Sequence, residues 1–209
     1  MITFELLTLG NLTRNKFWGE SDEKGLRPVL ATSTLIVSDK HKIVVDPSCE
    51  NIEEKLFNHS GLKANDIDIV YVTHKHKDHF TGIEVFKDAK WYMANEDLEF
   101  LKNNPIAGEE DNINRFLPVG DKLCEDIETV KLPGHTIGCT GLFFKTSEGR
   151  VLVSGDAIAD KNYFKNDTPY FFCEDYKKNV ETIKANKDIA DIIVPGHGNY
   201  FLVKGYKNA

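Results

Sequence analysis

The almost wholly apolar run Ile67–Thr73 delivers the chain straight into His74-Lys75-His76-Lys77-Asp78-His79, so that three of seven histidines fall within six residues at the end of an expected strand. Few features constrain a fold more tightly. A buried strand has to be covered on both faces, and its end has to open where polar side chains can converge. Imidazole nitrogen and carboxylate oxygen are the donors of a catalytic zinc site, in which protein ligands leave a position for water. In a loop at a strand end, His74 and His76 can face one way while Asp78 and His79 face the other, an arrangement suited to two neighbouring ions.

Three further polar residues sit in tight glycine-containing turns after apolar runs: His135 in Pro133-Gly134-His135-Thr136, Asp156 in Ser154-Gly155-Asp156, and His197 in Pro195-Gly196-His197-Gly198. Singly, each reads as a local hydrogen-bonding residue of a turn. Strand-end loops are also where a rigid scaffold presents its chemistry. The periodicity around them predicts a strand over Ile2–Leu9, a polar stretch to Pro28, and a hairpin of Thr34–Ser38 and Lys42–Asp46 joined by Asp39-Lys40-His41. A helix is expected over Glu50–His59, stopped by Gly61, with a short helix over Gly82–Phe86, a strand over Trp91–Ala94 and a helix over Glu96–Lys102. An irregular stretch through Pro105 and Pro118 follows. Ile127–Leu132, Thr140–Lys145, Val151–Ser154 and Asp191–Val194 read as strands, and Glu174–Asn186 as an amphipathic helix.

With 209 residues, 41% hydrophobic and 28% charged, the chain is expected to form one globular domain over residues 1–209. The net charge of −7 opposes non-specific binding to nucleic acid, and Lys63, Lys75 and Lys77 are too scattered to form a basic patch. No apolar run approaches the roughly 18–20 residues of a membrane helix, and Met1–Gly10 lacks the features of a signal peptide, so a cytoplasmic protein is expected. Cys49, Cys124, Cys139 and Cys173 form no C-x-x-C pair and read as reduced, small buried hydrophobes. Nothing in the sequence speaks to oligomeric state.

Taken together, His74, His76, Asp78, His79, His135, Asp156 and His197 resemble, in order, the H-x-H-x-D-H, H, D, H pattern of the metallo-β-lactamase superfamily, with the likeness running from Thr34 through His197. The resemblance implies an α+β, four-layer αββα sandwich and two divalent metal ions, with zinc expected and iron or manganese as alternatives. It puts the first on His74, His76 and His135, and the second on Asp78, His79 and His197. Asp156 bridges them. An Asp at the bridging position resembles the thioesterase, lactonase and nuclease branches rather than lactamases with cysteine there, and so disfavours antibiotic hydrolysis. Asp46 and Thr73 are candidates to support ligand imidazoles, Asp46 equally a turn residue before Pro47, whereas His41 and His59 lie outside the pattern and are expected at the surface.

Two such ions generate a hydroxide nucleophile at neutral pH and polarise a carbonyl, which implies hydrolysis of a small ester, thioester or lactone, with Asp78 and Asp156 as the catalytic carboxylates. A persulfide dioxygenase using one iron is the alternative suggested by Pro133-Gly134-His135-Thr136 with Gly138-Cys139; the segment after Asp156 speaks against it. An RNA-cleaving nuclease is a further alternative. Glyoxalase-type thioesterases are disfavoured because they carry an additional carboxy-terminal domain. Quorum-quenching lactonases place a tyrosine three residues after the bridging aspartate, where this chain has Ala159. Tyr163 could substitute, although an ordinary surface or packing role fits it better. The pocket is expected to be walled by loop Asn11–Pro28, with Phe17 and Trp18 as a flap or Trp18 as a core anchor, and by Asn103–Gly120.

Overall fold

The computed structural model describes residues 1–21 and 26–206. Twelve strands form two six-stranded sheets. The first contains β1 (Thr3–Thr8), β2 (Ser33–Val37), β3 (Lys42–Val45), β4 (Ile69–Tyr71), β5 (Lys90–Met93) and β6 (Leu117–Pro118), side by side in sequence order. The second contains β7 (Lys122–Cys124), β8 (Ile127–Lys131), β9 (Thr140–Thr146), β10 (Gly149–Gly155), β11 (Ile192–Pro195) and β12 (Phe201–Leu202), again in sequence order across the sheet. β3 to β6 pair in parallel, as do β10 and β11, and the remaining neighbours are antiparallel.

Five helices cover the outer faces: α1 (Ile52–Ser60), α2 (Asn95–Asn103), α3 (Glu110–Arg115), α4 (Lys161–Lys165) and α5 (Tyr176–Ala185). The layering follows from the two-residue period of a strand, which sends successive side chains to opposite faces. Leu35, Val44 and Val70 pack with Ile52 and Leu56 of α1 and Leu98 and Leu101 of α2. Their neighbours Ile36, Ile43, Val45, Ile69 and Tyr71 turn the other way and meet Leu142, Val151, Val153, Ile192 and Val194 of the second sheet. Leu152 and Ile193, between those residues in sequence, join Phe164 of α4 and Ile183 of α5. Three cores thus separate four layers, helix, sheet, sheet and helix, as in the expected αββα sandwich.

The expected hairpin, the strands and the helices over residues 52–60, 95–103 and 176–185 are present with ends shifted by one or two residues. Gly82–Phe86 is only a single 3-10 turn, Ile83–Val85. The stretch read as irregular holds α3, and α4 was not expected at all. Both are short, and α3 has only Asn112 and Ile113 buried, too little for a periodic signal. Of Ile67–Thr73 only three residues form the strand. The rest carries the chain out of the sheet toward the histidines.

Candidate metal centre

All seven residues of the H-x-H-x-D-H, H, D, H pattern meet at one edge of the sandwich. His74, His76, Asp78 and His79 follow β4, His135 follows β8, Asp156 follows β10 and His197 follows β11. Two glycines make the approach possible. Gly155 has φ +52°, and a side chain there would strike Thr73; a Cβ on Gly196 would fall on the Asp156 carboxylate.

Among the described residues, ligand atoms gather into three overlapping groups that could each hold a metal ion: His74, His76 and His135; His74, His79 and Asp156; and Asp78, His79 and His197. His76 Nδ1 lies 3.0 Å from His74 Nε2 and 2.9 Å from His135 Nε2. Asp78 Oδ2 lies 3.9 Å from both His79 Nε2 and His197 Nε2. Asp156 reaches both ends of the cluster: Oδ2 is 3.4 Å from His135 Nε2 and 3.2 Å from His197 Nε2, and Oδ1 is 3.3 Å from His79 Nε2 and 3.1 Å from His197 Nε2. His79 Nε2 and Asp156 Oδ1 are buried without a hydrogen-bond partner, a costly state for polar atoms unless something else binds them. Nitrogen and carboxylate donors with such orphaned atoms fit a pair of divalent cations.

At His74, His79 and His197 the outer side of the ring has a partner that places the Nδ1 proton. Asp46, buried and held at φ +50°, accepts from Thr73 N at 2.8 Å, Thr73 Oγ1 at 2.9 Å and His79 Nδ1 at 2.8 Å. Because the Thr73 hydroxyl proton goes to Asp46, His74 Nδ1 must donate to Thr73 Oγ1, 3.1 Å away. His197 Nδ1 donates to Leu30 O at 2.8 Å. All three therefore keep the Nδ1 proton outward and point Nε2 inward, the atom that would bind a cation in place of a proton. Asp46 combines both roles considered for it, a turn residue and the support of an imidazole.

Burial, reinforced by neighbouring histidines, holds His74 well below the usual histidine pKa and His135 at about 3, so both are neutral near pH 7. Burial lowers His76 as well. At His79 burial is outweighed by the Asp46, Asp156 and Asp78 carboxylates, and at His197 by Asp156, so both are raised. Burial would raise Asp156, but His197, His79 and His135 keep it well below the carboxylate range.

Asp97, on α2, was not singled out by its sequence. It is fully buried and accepts from Lys75 N at 3.0 Å, Thr136 Oγ1 at 2.7 Å and Gly138 N at 2.9 Å. One carboxylate thus ties the loop of His74 and His76 to the loop of His135. No local motif marks it, since its partners lie 22, 39 and 41 residues away.

A cavity of about 720 Å³ opens over the cluster, reaching His76, Asp78, His135, Asp156 and His197, with Thr13, Arg14, Val29, Tyr170, Phe171 and Phe172 among its walls. The loop expected as a flap supplies Thr13 and Arg14, whose guanidinium lies 3.5 Å from the centre of the Phe171 ring. Phe17 and Trp18 do not cover the site. Phe17 packs edge-on against Tyr163, and Trp18, 63% exposed, is no core anchor; it borders a second depression beyond His197. Residues 22–25 of that loop lie outside the described residues. Tyr163 is a packing residue, buried with Leu12, Ala159 and Tyr170. It is Tyr170 that reaches the cavity wall.

His59 is exposed as expected, but His41 is half-buried in the β2–β3 turn. All four cysteines are free, yet only Cys139 is fully buried. Cys49 and Cys124 lie at the margins of two cores, and Cys173 donates to Gly134 O beside the cavity.

A family model described as the metallo-beta-lactamase superfamily matches residues 26–197. The chain is 32% identical over 158 residues to "Probable metallo-hydrolase MJ0296" of Methanocaldococcus jannaschii, covering 74% of this chain and 70% of that protein. It is 28% identical over 183 residues to the hydroxyacylglutathione hydrolase GloC of Haemophilus influenzae, covering 78% of this chain and 82% of that one. Across its curated relatives it spans from about two fifths to about four fifths of their length. Among solved structures, AidC, a dizinc quorum-quenching lactonase, superposes with a TM-score of 0.66 at 17% identity, over 80% of this chain and 72% of that one. No helix among the described residues is long and apolar enough to cross a membrane. A model spanning most of the sequence, a relative above 30% identity and the αββα layering agree, and the chain belongs to the metallo-beta-lactamase superfamily of metal-dependent hydrolases.

Proposed function

We propose that the chain is a two-metal hydrolase of small carboxylic thioesters and esters, lactones included as poorer substrates. In this reading His74, His76 and His135 hold one ion, Asp78, His79 and His197 the other, and Asp156 bridges them, with zinc as the metal. The observation that carries it is Asp156, whose carboxylate lies within 3.1–3.4 Å of Nε2 of His79, His135 and His197 and so reaches residues of both donor sets. When bound, such ions supply an activated water at neutral pH and polarise a carbonyl oxygen. The chain's own contribution is positional. Asp46, Thr73 and Leu30 O keep the Nδ1 proton of three imidazoles outward and so point Nε2 inward. Asp78, at the cavity floor and 22% exposed, is placed to orient water by hydrogen bonding. Tyr170, Phe171, Phe172 and Val29 exclude bulk water from the reacting carbonyl.

Two points favour thioesters and aryl esters. The chain covers 82% of a hydroxyacylglutathione hydrolase, so the expectation that such thioesterases carry a further domain gives no reason against this chemistry. Ala159 leaves no phenol at the position from which the lactonase branch assists an alkoxide. Without an acid, poor leaving groups forgo the ~10²–10⁴-fold that general acid catalysis contributes, whereas thiolates and aryloxides need little help.

Elemental analysis with a substrate screen tests the reading. Two ions per chain are expected, with higher kcat/KM for thioesters and aryl esters than for acyl-homoserine lactones. Asp156→Ala should lose at least one ion and nearly all activity, and unchanged stoichiometry in that variant would refute the ligand set. Efficient lactone opening that disappears in Tyr170→Phe would show instead that Tyr170 supplies the missing phenol.

A further inference from the structure

The cavity over the donor cluster does not end at His76 and His135. Beyond them a second cavity of about 600 Å³ runs over α2, sharing His76, Lys77, His135, Phe171 and Phe172 with the first. Its far wall is Phe100, Leu101 and Ile106, from α2 and the loop that follows.

We propose that this arm binds an uncharged apolar chain of the substrate while the scissile carbonyl sits at the donor cluster; the proposal rests on the hydrolase reading above. Three observations carry it. The first is the makeup of the walls, in which Phe100, Leu101, Ile106, Phe171 and Phe172 form an apolar share beside polar residues such as Asn104 and Glu174, the mixture typical of a small-molecule pocket. The second is charge. Both lysines of the arm are already paired, Lys75 with Glu174 Oε1 at 2.5 Å and Lys77 with Glu109. Lys75 is also only 6% exposed, and its ammonium lies 3.8 Å from the centre of the Phe100 ring. A charged tail of either sign would have to break into the Lys75–Glu174 or Lys77–Glu109 pair, whereas an uncharged chain leaves both intact. The third is exposure: Phe172 is 63% exposed and Phe100 45%, so apolar surface is left open where a bound chain would cover it. Continuity with the donor cluster is direct, because the Phe172 ring stands 6.1 Å from the His76 ring.

Two substrate series test the arm and tell which side of the scissile bond enters it: 4-nitrophenyl esters from acetyl to octanoyl, and acetyl thioesters of thiols from ethyl to octyl. Full burial of one CH₂ corresponds to about fourfold at 25 °C, so a rise in kcat/KM of at least about tenfold is expected along one series. Ile106→Trp, which narrows the arm at a half-buried loop position, should flatten that series. Phe100→Ala should reduce the slope without closing the arm. A readout free of turnover uses Cys173, which lines the arm. Hexanamide should slow its modification by a maleimide, followed by mass spectrometry with Cys49 as internal reference, and acetamide should not. Protection without hydrolysis of any ester would uphold the arm and remove the hydrolase reading. Flat series together with unprotected Cys173, or a chain-length dependence unmoved by Ile106→Trp, would overturn the arm.

Discussion

Asp97 is a carboxylate with no inward-facing task, yet it accepts two backbone N–H groups and one hydroxyl from the loops that carry His74, His76 and His135. Removing it leaves three buried donors to find other partners and frees the two loops from each other. Asp97→Ala is therefore expected to weaken the ion held by these three histidines by about 10–100-fold, the range for loss of outer support, while the Asp78, His79 and His197 group is affected less. Titration with a chromophoric chelator, resolving two binding steps, measures the difference, and Asp97→Asn should recover part of it. Equal weakening of both steps would make Asp97 a general stabiliser. Gly196→Ala makes a complementary case, since the added methyl competes for the space of the Asp156 carboxylate. It should reproduce the metal loss of Asp156→Ala although it removes no donor.

At the level of elements, the site depends on how helices and strands end. Asp175 caps α5 by accepting from Lys178 N at 2.8 Å, and its own N–H donates to Gly134 O, in the turn that presents His135. Asp175→Ala should cost about 1 kcal/mol as a lost cap, lowering Tm by roughly 2–4 °C for a chain of this size. The parallel pairing of β10 with β11 has an ionic clasp, Arg150 with Asp191, which also accepts from Arg150 N at 3.0 Å. The side-chain and backbone bonds from Arg150 hold the Asp191 pKa well below its ordinary value. A depressed carboxylate contributes stability above its unfolded pKa, near 3.9, and loses it as pH falls through the folded value. The Tm deficit of Asp191→Asn should thus be present at pH 7, persist at pH 5 and shrink below pH 4. A deficit independent of pH down to 2 would assign the effect to packing.

For the whole molecule, the three largest apolar cores lie between the layers and away from the donor cluster, so the sandwich is expected to form without ions. Chelator-treated protein should keep its far-UV circular dichroism and lose activity. Its Tm should fall, because a ligand that binds only the folded state stabilises it by mass action. Complete unfolding on chelation would indicate that the cluster is structural.

What the sequence by itself determined is what local spacing encodes. The two-residue alternation of Ile43-Val44-Val45 and of Ile192-Ile193-Val194 separates two cores, and the tight turns at His135, Asp156 and His197 mark strand ends, because strand period and turn chemistry are properties of neighbours in the chain. The histidine cluster is legible for the same reason, whereas His135, Asp156 and His197 read singly as turn residues and joined it only through the family resemblance. Tertiary structure alone decided the partners of each side chain at long range. It put Asp97 between two loops, turned Trp18 outward, buried Tyr163 and brought Tyr170 to the cavity wall. It also opened the arm over α2. None of these choices has a local signature, since each is set by how a side chain packs against residues tens of positions away, and packing of that kind exists only once the layers have closed on one another.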